Sequence, residues 1–187
     1  MPSIYFLTGN PHKLEEVRLV LRPYRVEVLQ LDEEKLEVQS DTLAEIARTA
    51  VEALTPRQYA FFTEDAGLFI NALKGFPGPY SSYVYKTIGI KGVLKLMEGI
   101  KDRGAYFESA VALYTPKHGV RVFVERVYGR ISEEPRGTGG FGFDPIFIPE
   151  GFNQTFAEMT IEEKNRISHR AKAVKSMAEW LISNYFT

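Results

Sequence analysis

The 187-residue sequence contains no cysteine, which excludes disulfide bonds, thiol nucleophiles, zinc ribbons and iron–sulfur clusters. It has no apolar run near the roughly 18 residues of a membrane-spanning helix, and MPSIYFLTGN lacks the basic leader of a signal peptide. The sequence also has no excess of either charge, because it contains 23 basic and 24 acidic residues. No long-range attraction to duplex nucleic acid is therefore expected. We expect a soluble cytoplasmic protein that binds neither a membrane nor a nucleic acid polymer.

Strand and helix patterns alternate in the first third of the chain. β-formers at 4–8 precede a helical apolar period that Asn10 can cap and Pro23 can end. A strand over 26–31, a helix that opens with capping-box spacing at Thr42 and a strand over 59–63 follow. We expect the last strand to end at Asp65 and to be followed by a loop. The β-α-β-α-β order predicts an α/β fold with a mixed sheet.

The remaining two thirds predict two long strands, 105–115 and 119–131, joined as a hairpin. A short helix over 92–100 precedes them, and a single C-terminal helix from Thr160 to about Ile182 ends the chain. The predicted fold class is α/β (α+β mixed), with a central twisted mixed β-sheet flanked by helices. The long hairpin is expected to form a second lobe with a cleft between the lobes, within a single domain over 1–187.

The first candidate site is the strand-to-helix junction TGNPHK, Thr8 to Lys13. Free amide groups and the positive end of a helix dipole attract phosphate, and Lys13 adds a charge. An ordinary capped turn gives the same pattern, so both interpretations stay open. The spacing is not that of a Walker A loop.

The second candidate consists of Glu64 and Asp65, with Glu37 from an acidic connector. Mg²⁺ binds hard oxygen ligands, commonly one or two carboxylates completed by substrate phosphates and water. Acid-glycine pairs are also plain turn formers, and the local pattern favours that alternative.

The third candidate is the glycine-rich segment 137–145, GTGGFGFDP. Its G-x-G-x-x-G spacing does not indicate a dinucleotide fold, because no helix is predicted after it. A mobile loop carrying Phe141, Phe143 and Asp144 can stack on a base and hydrogen-bond it. The alternative is a flexible hairpin with two core phenylalanines.

The fourth candidate is EKNRISHR, residues 163–170. Lys164 and Ser168 are four residues apart, as are Asn165 and His169, so an unbroken helix would place them on adjoining strips. These donors suit a polar base edge or phosphates, whereas a solvated helix face is the ordinary explanation.

In this order the motifs resemble the inosine triphosphate pyrophosphatase family. TGNPHKLEEV is similar to the family's T-G-N-x-x-K start, EDAGL to its acid-Asp-Ser/Ala-Gly-Leu element and LKGFPGPYSS to its G-x-P-G-x-Y-S segment. GTGGFGFDPIF and FAEMTIEEKNRISHR resemble its last two motifs. The resemblance implies hydrolysis of ITP, dITP and XTP to the monophosphate and pyrophosphate, with Mg²⁺ as cofactor and a homodimer as the assembly. Alternatives are a non-catalytic nucleotide-binding regulatory protein and a phosphohydrolase of different specificity.

The resemblance also implies site residues. Glu37 and Asp65 correspond to the magnesium ligands, and Asp65 also to the catalytic proton acceptor. The residues implied to hold the triphosphate are Thr8, Gly9, Asn10, Pro11, His12 and Lys13. The other implied substrate contacts, to the base, sugar or phosphates, are Ala66, Phe141, Gly142, Phe143, Asp144, Lys164, His169 and Arg170.

Three positions depart from the family pattern. Many relatives carry a lysine in the second helix at the position of Ala50, and this helix has none. Ala66 replaces a commoner serine, and Tyr83 stands where an arginine often occurs. The triphosphate is therefore held with one charge fewer, or by another residue.

Overall fold

The computed structural model describes residues 1–186, which contain a seven-stranded mixed sheet with flanking helices. The strands are β1 (Ser3–Leu7), β2 (Glu27–Leu31), β3 (Phe61–Ile70), β4 (Pro77–Gly78), β5 (Gly104–Thr115), β6 (Gly119–Ile131) and β7 (Phe147–Pro149). The helices are α1 (Pro11–Leu21), α2 (Leu43–Glu52), α3 (Ser81–Thr87), α4 (Gly89–Leu96), α5 (Ile161–Ile167) and α6 (His169–Asn184).

The sheet has the strand order β2-β1-β3-β5-β6-β7, and β4 pairs with β3 off this path. Strand β1 is parallel to β2 and β3, whereas β4 is antiparallel to β3 and β7 to β6. The predicted α/β class with a mixed sheet is confirmed, and so are the two long strands joined by a short turn.

Helix starts follow local capping chemistry. The Asn10 side chain accepts hydrogen bonds from the amides of His12, at 3.0 Å, and Lys13, at 3.2 Å, and Pro11 occupies the first turn. Thr42 and Thr160 cap α2 and α5 in the same way. Each cap satisfies amide groups that the first helical turn leaves without an intrahelical partner.

The chain folds as two compact units, each with its own hydrophobic core. Unit 1 consists of Met1–Asp65, Ser109–Glu125 and the segment that begins at His169. Unit 2 consists of Ala66–Glu108 and Arg126–Ser168. The stacked rings of Phe6 and Phe62 lie in the core of unit 1, with ring centroids 4.4 Å apart. The second lobe, the cleft and the single domain stay predictions.

Strand β3 is longer than predicted, and the expectation that it ends at Asp65 is wrong. Glu64 and Asp65 lie in mid-strand, because β4 pairs with the second half of β3 through Leu68 and Gly78. A Cβ atom on Gly67 would lie 2.3 Å from the Gly78 carbonyl oxygen. Gly67 is therefore required by a close strand approach, not by a turn.

The C-terminal region is also divided differently. Ser168 has an extended backbone, with φ −67° and ψ 154°, so α5 ends before it and α6 begins at His169. The prediction of one unbroken helix is therefore wrong. So is the placement of Lys164 with Ser168, and of Asn165 with His169, on adjoining strips of it. Helix α3 begins at Ser81, at the end of the stretch predicted as loop. Among residues 1–186, no helix is long and apolar enough to cross a membrane.

Candidate active site

The junction between β1 and α1 forms a fixed turn with exposed residues in unit 1. Thr8 Oγ1 accepts a hydrogen bond from the Asn10 amide at 3.1 Å, and Gln30 Nε2 donates to the Thr8 carbonyl oxygen at 2.8 Å. Gly9, Pro11 and His12 are exposed. A Cβ atom on Gly9 would meet no atom within 4 Å, so the fold itself does not require glycine here. The segment thus leaves open space beside Gly9 at the positive end of α1.

Lys13 is held by a buried carboxylate. Its Nζ atom lies 2.8 Å from Glu64 Oε2 and 3.0 Å from the Glu64 carbonyl oxygen. Glu64 also accepts a hydrogen bond from Ser109 Oγ at 2.6 Å and contacts Arg170 Nε at 3.2 Å. Arg170 in turn forms an ion pair with Glu16. Lys13, Glu16, Glu64 and Arg170 therefore form one charged network, which we call the lysine-13 network.

The network fixes the charge of its buried members. Burial alone would raise the pKa of Glu64, but the charges of Arg170 and Lys13, with hydrogen bonds from Lys13 and Ser109, hold that pKa well below its usual range. Burial would likewise lower the pKa of Arg170, and the carboxylates of Glu64 and Glu16 instead raise it. Glu64 therefore remains an anion that positions Lys13, and it does not act as a proton donor.

Asp65 has a different partner from Glu64. Neighbouring side chains on a strand point to opposite faces, and Asp65 Oδ1 accordingly contacts Lys35 Nζ at 2.5 Å. Asp65 Oδ2 is buried and makes no hydrogen bond within residues 1–186. Asp65 thus has one oxygen on a cation and one oxygen with unused acceptor capacity.

Glu37 lies on the connector between β2 and α2. The ion pair between Lys35 and Asp65 attaches this connector to β3. The Glu37 side chain is exposed, two residues from Lys35 along the chain. Among the described residues, no group of three or more His, Asp or Glu side chains is arranged to hold a metal. Magnesium commonly needs only one or two carboxylates when substrate phosphates complete its shell. The buried Oδ2 of Asp65 makes no hydrogen bond and can accept such an ion. The ammonium group of Lys35 on Oδ1 shows that this carboxylate already binds a cation.

Unit 2 holds a second buried ion pair, between Lys164 and Asp144. Lys164 Nζ lies 2.7 Å from Asp144 Oδ2, and both side chains are almost fully buried. The same oxygen accepts a hydrogen bond from the Phe141 amide at 3.0 Å. Lys164 Nζ also lies 5.0 Å from the centre of the Phe141 ring, a cation–π contact. The pair therefore fixes the half-buried Phe141 and the glycine-rich loop.

The other residues of that loop are set by packing. Phe143 is 3% exposed and lies in the core of unit 2, with its ring against Tyr85. A Cβ atom on Gly140 would lie 2.1 Å from Asp144 Oδ2, and its φ is +64°, so glycine is required there. Gly142 has open space around it. Ala66 is half-buried in β3, and His169 is buried at the start of α6.

Sequence patterns did not identify Lys35 and Ser109, which lie outside the quoted motifs, and gave Glu16 no role. Lys35 lies in a connector crowded with acids. The partners Asp65 and Lys35 are 30 residues apart, and Glu16 and Arg170 are 154 apart. Ala50 is fully buried, and Arg48, the basic residue of α2, pairs with Glu52 at 3.7 Å.

Comparison with known proteins identifies the family. The model of the Ham1 family matches residues 4–180. The chain belongs to the Ham1 family. A dITP/XTP pyrophosphatase of Thermococcus kodakarensis is 55% identical over 180 residues, covering 96% of this chain and 97% of the relative. One from Pyrococcus horikoshii is 52% identical over 183 residues, covering 97% and 98%.

Solved structures of similar proteins have the same fold. A HAM1 protein from Coxiella burnetii superposes with a TM-score of 0.84 at 30% identity, covering 98% of this chain and 100% of that protein. A dITP/XTP pyrophosphatase from Mycobacterium abscessus gives a TM-score of 0.71 at 33% identity, covering 94% and 98%. The family resemblance inferred from the ordered motifs is confirmed.

Proposed function

We propose that this protein hydrolyses the non-canonical purine nucleoside triphosphates ITP, dITP and XTP to the nucleoside monophosphate and pyrophosphate. The observation that carries the proposal is its similarity to proteins named dITP/XTP pyrophosphatase, which reaches 55% identity over 96% of the chain. Such an enzyme removes these nucleotides from the pool. We further propose that residues 1–187 act as one catalytic domain.

The triphosphate is bound by the segment Thr8 to Lys13. The Thr8 hydroxyl and the Lys13 ammonium supply donors for phosphate oxygens, and the positive end of the α1 dipole favours their negative charge. Arg170 is buried and paired with Glu16 and Glu64. Because Glu64 also contacts Lys13, this pairing supports a role for Arg170 in positioning Lys13. Direct contact of Arg170 with base or phosphate remains a prediction.

Asp65 and Glu37 are the proposed holders of Mg²⁺. When bound, the ion neutralises phosphate charge and raises the acidity of water. Asp65 accepts the proton of the water that attacks the α-phosphorus, while the bond from that phosphorus to the bridging oxygen breaks. Lys13 stabilises the charge that develops on the departing pyrophosphate.

Base selection depends on hydrogen-bond donors. Hypoxanthine and xanthine present an acceptor at C6, where adenine presents an amino donor. Donors around His169 and Arg170 leave adenine with donor facing donor, and Phe141, Asp144 and Lys164 stay separate predicted contacts of the substrate. Such a mismatch discriminates by about 10⁴.

The cofactor, assembly and location are proposed on the same basis. We propose Mg²⁺ as the cofactor, a homodimer as the assembly and the cytoplasm, where the nucleotide pool lies, as the location. No feature of the described residues favours the regulatory protein or the other phosphohydrolase.

The decisive experiment is a panel of nucleoside triphosphates incubated with the protein and Mg²⁺. Pyrophosphate should form from ITP, dITP and XTP, and ATP should be a much poorer substrate. Orthophosphate as the product would indicate the other phosphohydrolase. Binding of ITP without turnover would indicate the regulatory protein, and equal rates with ATP and ITP would contradict the account of base selection.

A further inference from the structure

The ion pair between Lys35 and Asp65 has no role in the chemistry described above. Lys35 Nζ lies 2.5 Å from Asp65 Oδ1, and the two side chains are only 17% and 16% exposed. A lysine this close to a carboxylate occupies the space that a ligand of Oδ1 would need. Any other cation at this oxygen must therefore take the place of the ammonium.

We propose that Lys35 is a displaceable counter-ion, which neutralises Asp65 until a divalent cation binds and which weakens binding of that cation to the nucleotide-free protein. This inference rests on the proposed function, since it takes the metal site at Asp65 as given. It goes beyond that function by assigning a metal-affinity role to a residue outside the family motifs quoted above.

The position of Lys35 in the chain supports displacement over permanent pairing. Lys35 belongs to the irregular connector between β2 and α2, which has no regular secondary structure from 34 to 40. A lysine side chain has four rotatable methylene groups and is strongly hydrated, so it leaves a partner more readily than an arginine fork does. The Oδ2 atom, which is buried and without a hydrogen bond, keeps acceptor capacity for the incoming cation.

The connector also carries Glu37, whose side chain is exposed. When Lys35 leaves Asp65, the same stretch of chain is released to bring the Glu37 carboxylate to the cation. The ion pair thus anchors the connector in the metal-free protein, and its loss is coupled to completion of the ligand set.

Metal binding to the nucleotide-free protein tests the proposal directly. Mn²⁺, which replaces Mg²⁺ and is detectable by electron paramagnetic resonance, is titrated into the wild-type protein and into Lys35→Gln. The variant should bind Mn²⁺ about fivefold to tenfold more tightly, because no ion pair has to be broken and one nearby positive charge is removed. Unchanged or weaker binding would overturn the proposal.

Two matched variants separate displacement from a general charge effect. Lys35→Arg keeps the charge and the carboxylate contact, so its Mn²⁺ affinity should be no higher than that of the wild type. Arg57 Nη2 lies 2.6 Å from Glu33 Oε2, and Glu33 belongs to the same connector as Lys35. Arg57→Gln therefore removes a nearby positive charge and leaves the contacts of Asp65 unchanged. If Arg57→Gln raised the Mn²⁺ affinity as much as Lys35→Gln does, the gain would be a general effect of surface charge. That result would contradict the proposal that Lys35 is a displaceable counter-ion.

Thermal unfolding provides a readout that does not depend on turnover. Metal addition should raise the unfolding temperature more in Lys35→Gln than in the wild type, and Lys35→Met serves if the first variant folds poorly. Absence of pyrophosphate release from ITP by the wild type would refute the proposed function. Normal turnover together with unaltered metal binding in the Lys35 variants would refute this inference alone.

Discussion

Lys13 Nζ lies 2.8 Å from a carboxylate oxygen of Glu64 and 3.0 Å from its carbonyl oxygen. Two acceptors on one residue fix the ammonium at the start of α1, where phosphates are proposed to bind. Because Glu64 is buried and also contacts Arg170, its charge contributes both to folding and to the placement of Lys13.

Replacing Glu64 with glutamine should strongly destabilise the protein. The shape of the side chain is kept, but Lys13 and Arg170 lose their shared anion, and breaking a buried pair in this way costs about 3 kcal/mol or more of unfolding free energy. Urea unfolding at pH 7 measures the loss. Glu98→Gln, at an exposed pair with Lys95, is the control and should change stability by less than about 1 kcal/mol.

The effect of Glu64→Gln should also depend on pH. The folded state holds the pKa of Glu64 well below its ordinary value of 4.5, so this carboxylate stabilises the fold above that pH. Its contribution is lost as the pH falls from about 4.5 toward the folded pKa. The gap between wild type and variant should therefore narrow from pH 7 to pH 3. A constant gap over this range would show that the charge of Glu64 is not what stabilises the network.

Asp65→Asn should abolish turnover while leaving nucleotide binding largely intact. Asparagine keeps the size of the side chain but cannot accept the proton of the attacking water, so kcat should fall by about 10³ or more. Pyrophosphate release and ITP binding by calorimetry are measured together. Asp41→Asn, at an exposed position, is the matched control, and near-normal kcat in Asp65→Asn would remove Asp65 from the mechanism.

Gly9→Ala distinguishes an effect on folding stability from an effect on phosphate binding at the proposed site. The new methyl group meets no protein atom within 4 Å, so the free energy of unfolding should change by less than about 0.5 kcal/mol. If phosphates approach the backbone at Gly9, KM for ITP should rise about tenfold or more, because the methyl group occupies that space. An unaltered KM would exclude close approach. Gly140→Ala should instead destabilise the protein, since its Cβ would overlap the Asp144 carboxylate.

The Lys164 and Asp144 pair should show strong energetic coupling. Lys164→Met leaves a buried carboxylate without its ammonium and should lower the unfolding free energy by about 3 kcal/mol or more. Adding Asp144→Asn should recover part of this loss, so the double variant should be more stable than the sum of the two single effects predicts. Additive effects in urea unfolding would show that the two groups do not stabilise each other.

Local chemistry made several elements predictable. Asn10, Thr42 and Thr160 cap helices because their side chains reach amides only two or three residues away. The two long strands followed from β-formers on either side of a short turn. These signals depend on neighbouring residues, which the sequence displays directly.

Non-local pairing explains what the sequence did not reveal. Asp65, Ala66 and Gly67 resemble a turn, yet β4 keeps them extended by pairing with the residues that follow. Ser168 interrupts the C-terminal helix without a proline or glycine to signal it. The motifs identified Lys13, Glu64 and Asp65 as candidate site residues, but the pairing of Lys13 with Glu64 and of Asp65 with Lys35 followed only from tertiary contacts.

The lysine-13 network joins two acids and two bases from three distant parts of the chain. Substituting any one of them leaves the remaining buried charges unbalanced. Proteins that carry only one such substitution should therefore fold poorly. Positions 13, 16, 64 and 170 should consequently be inherited as a block, and lineages that alter one of them should carry a compensating change at another.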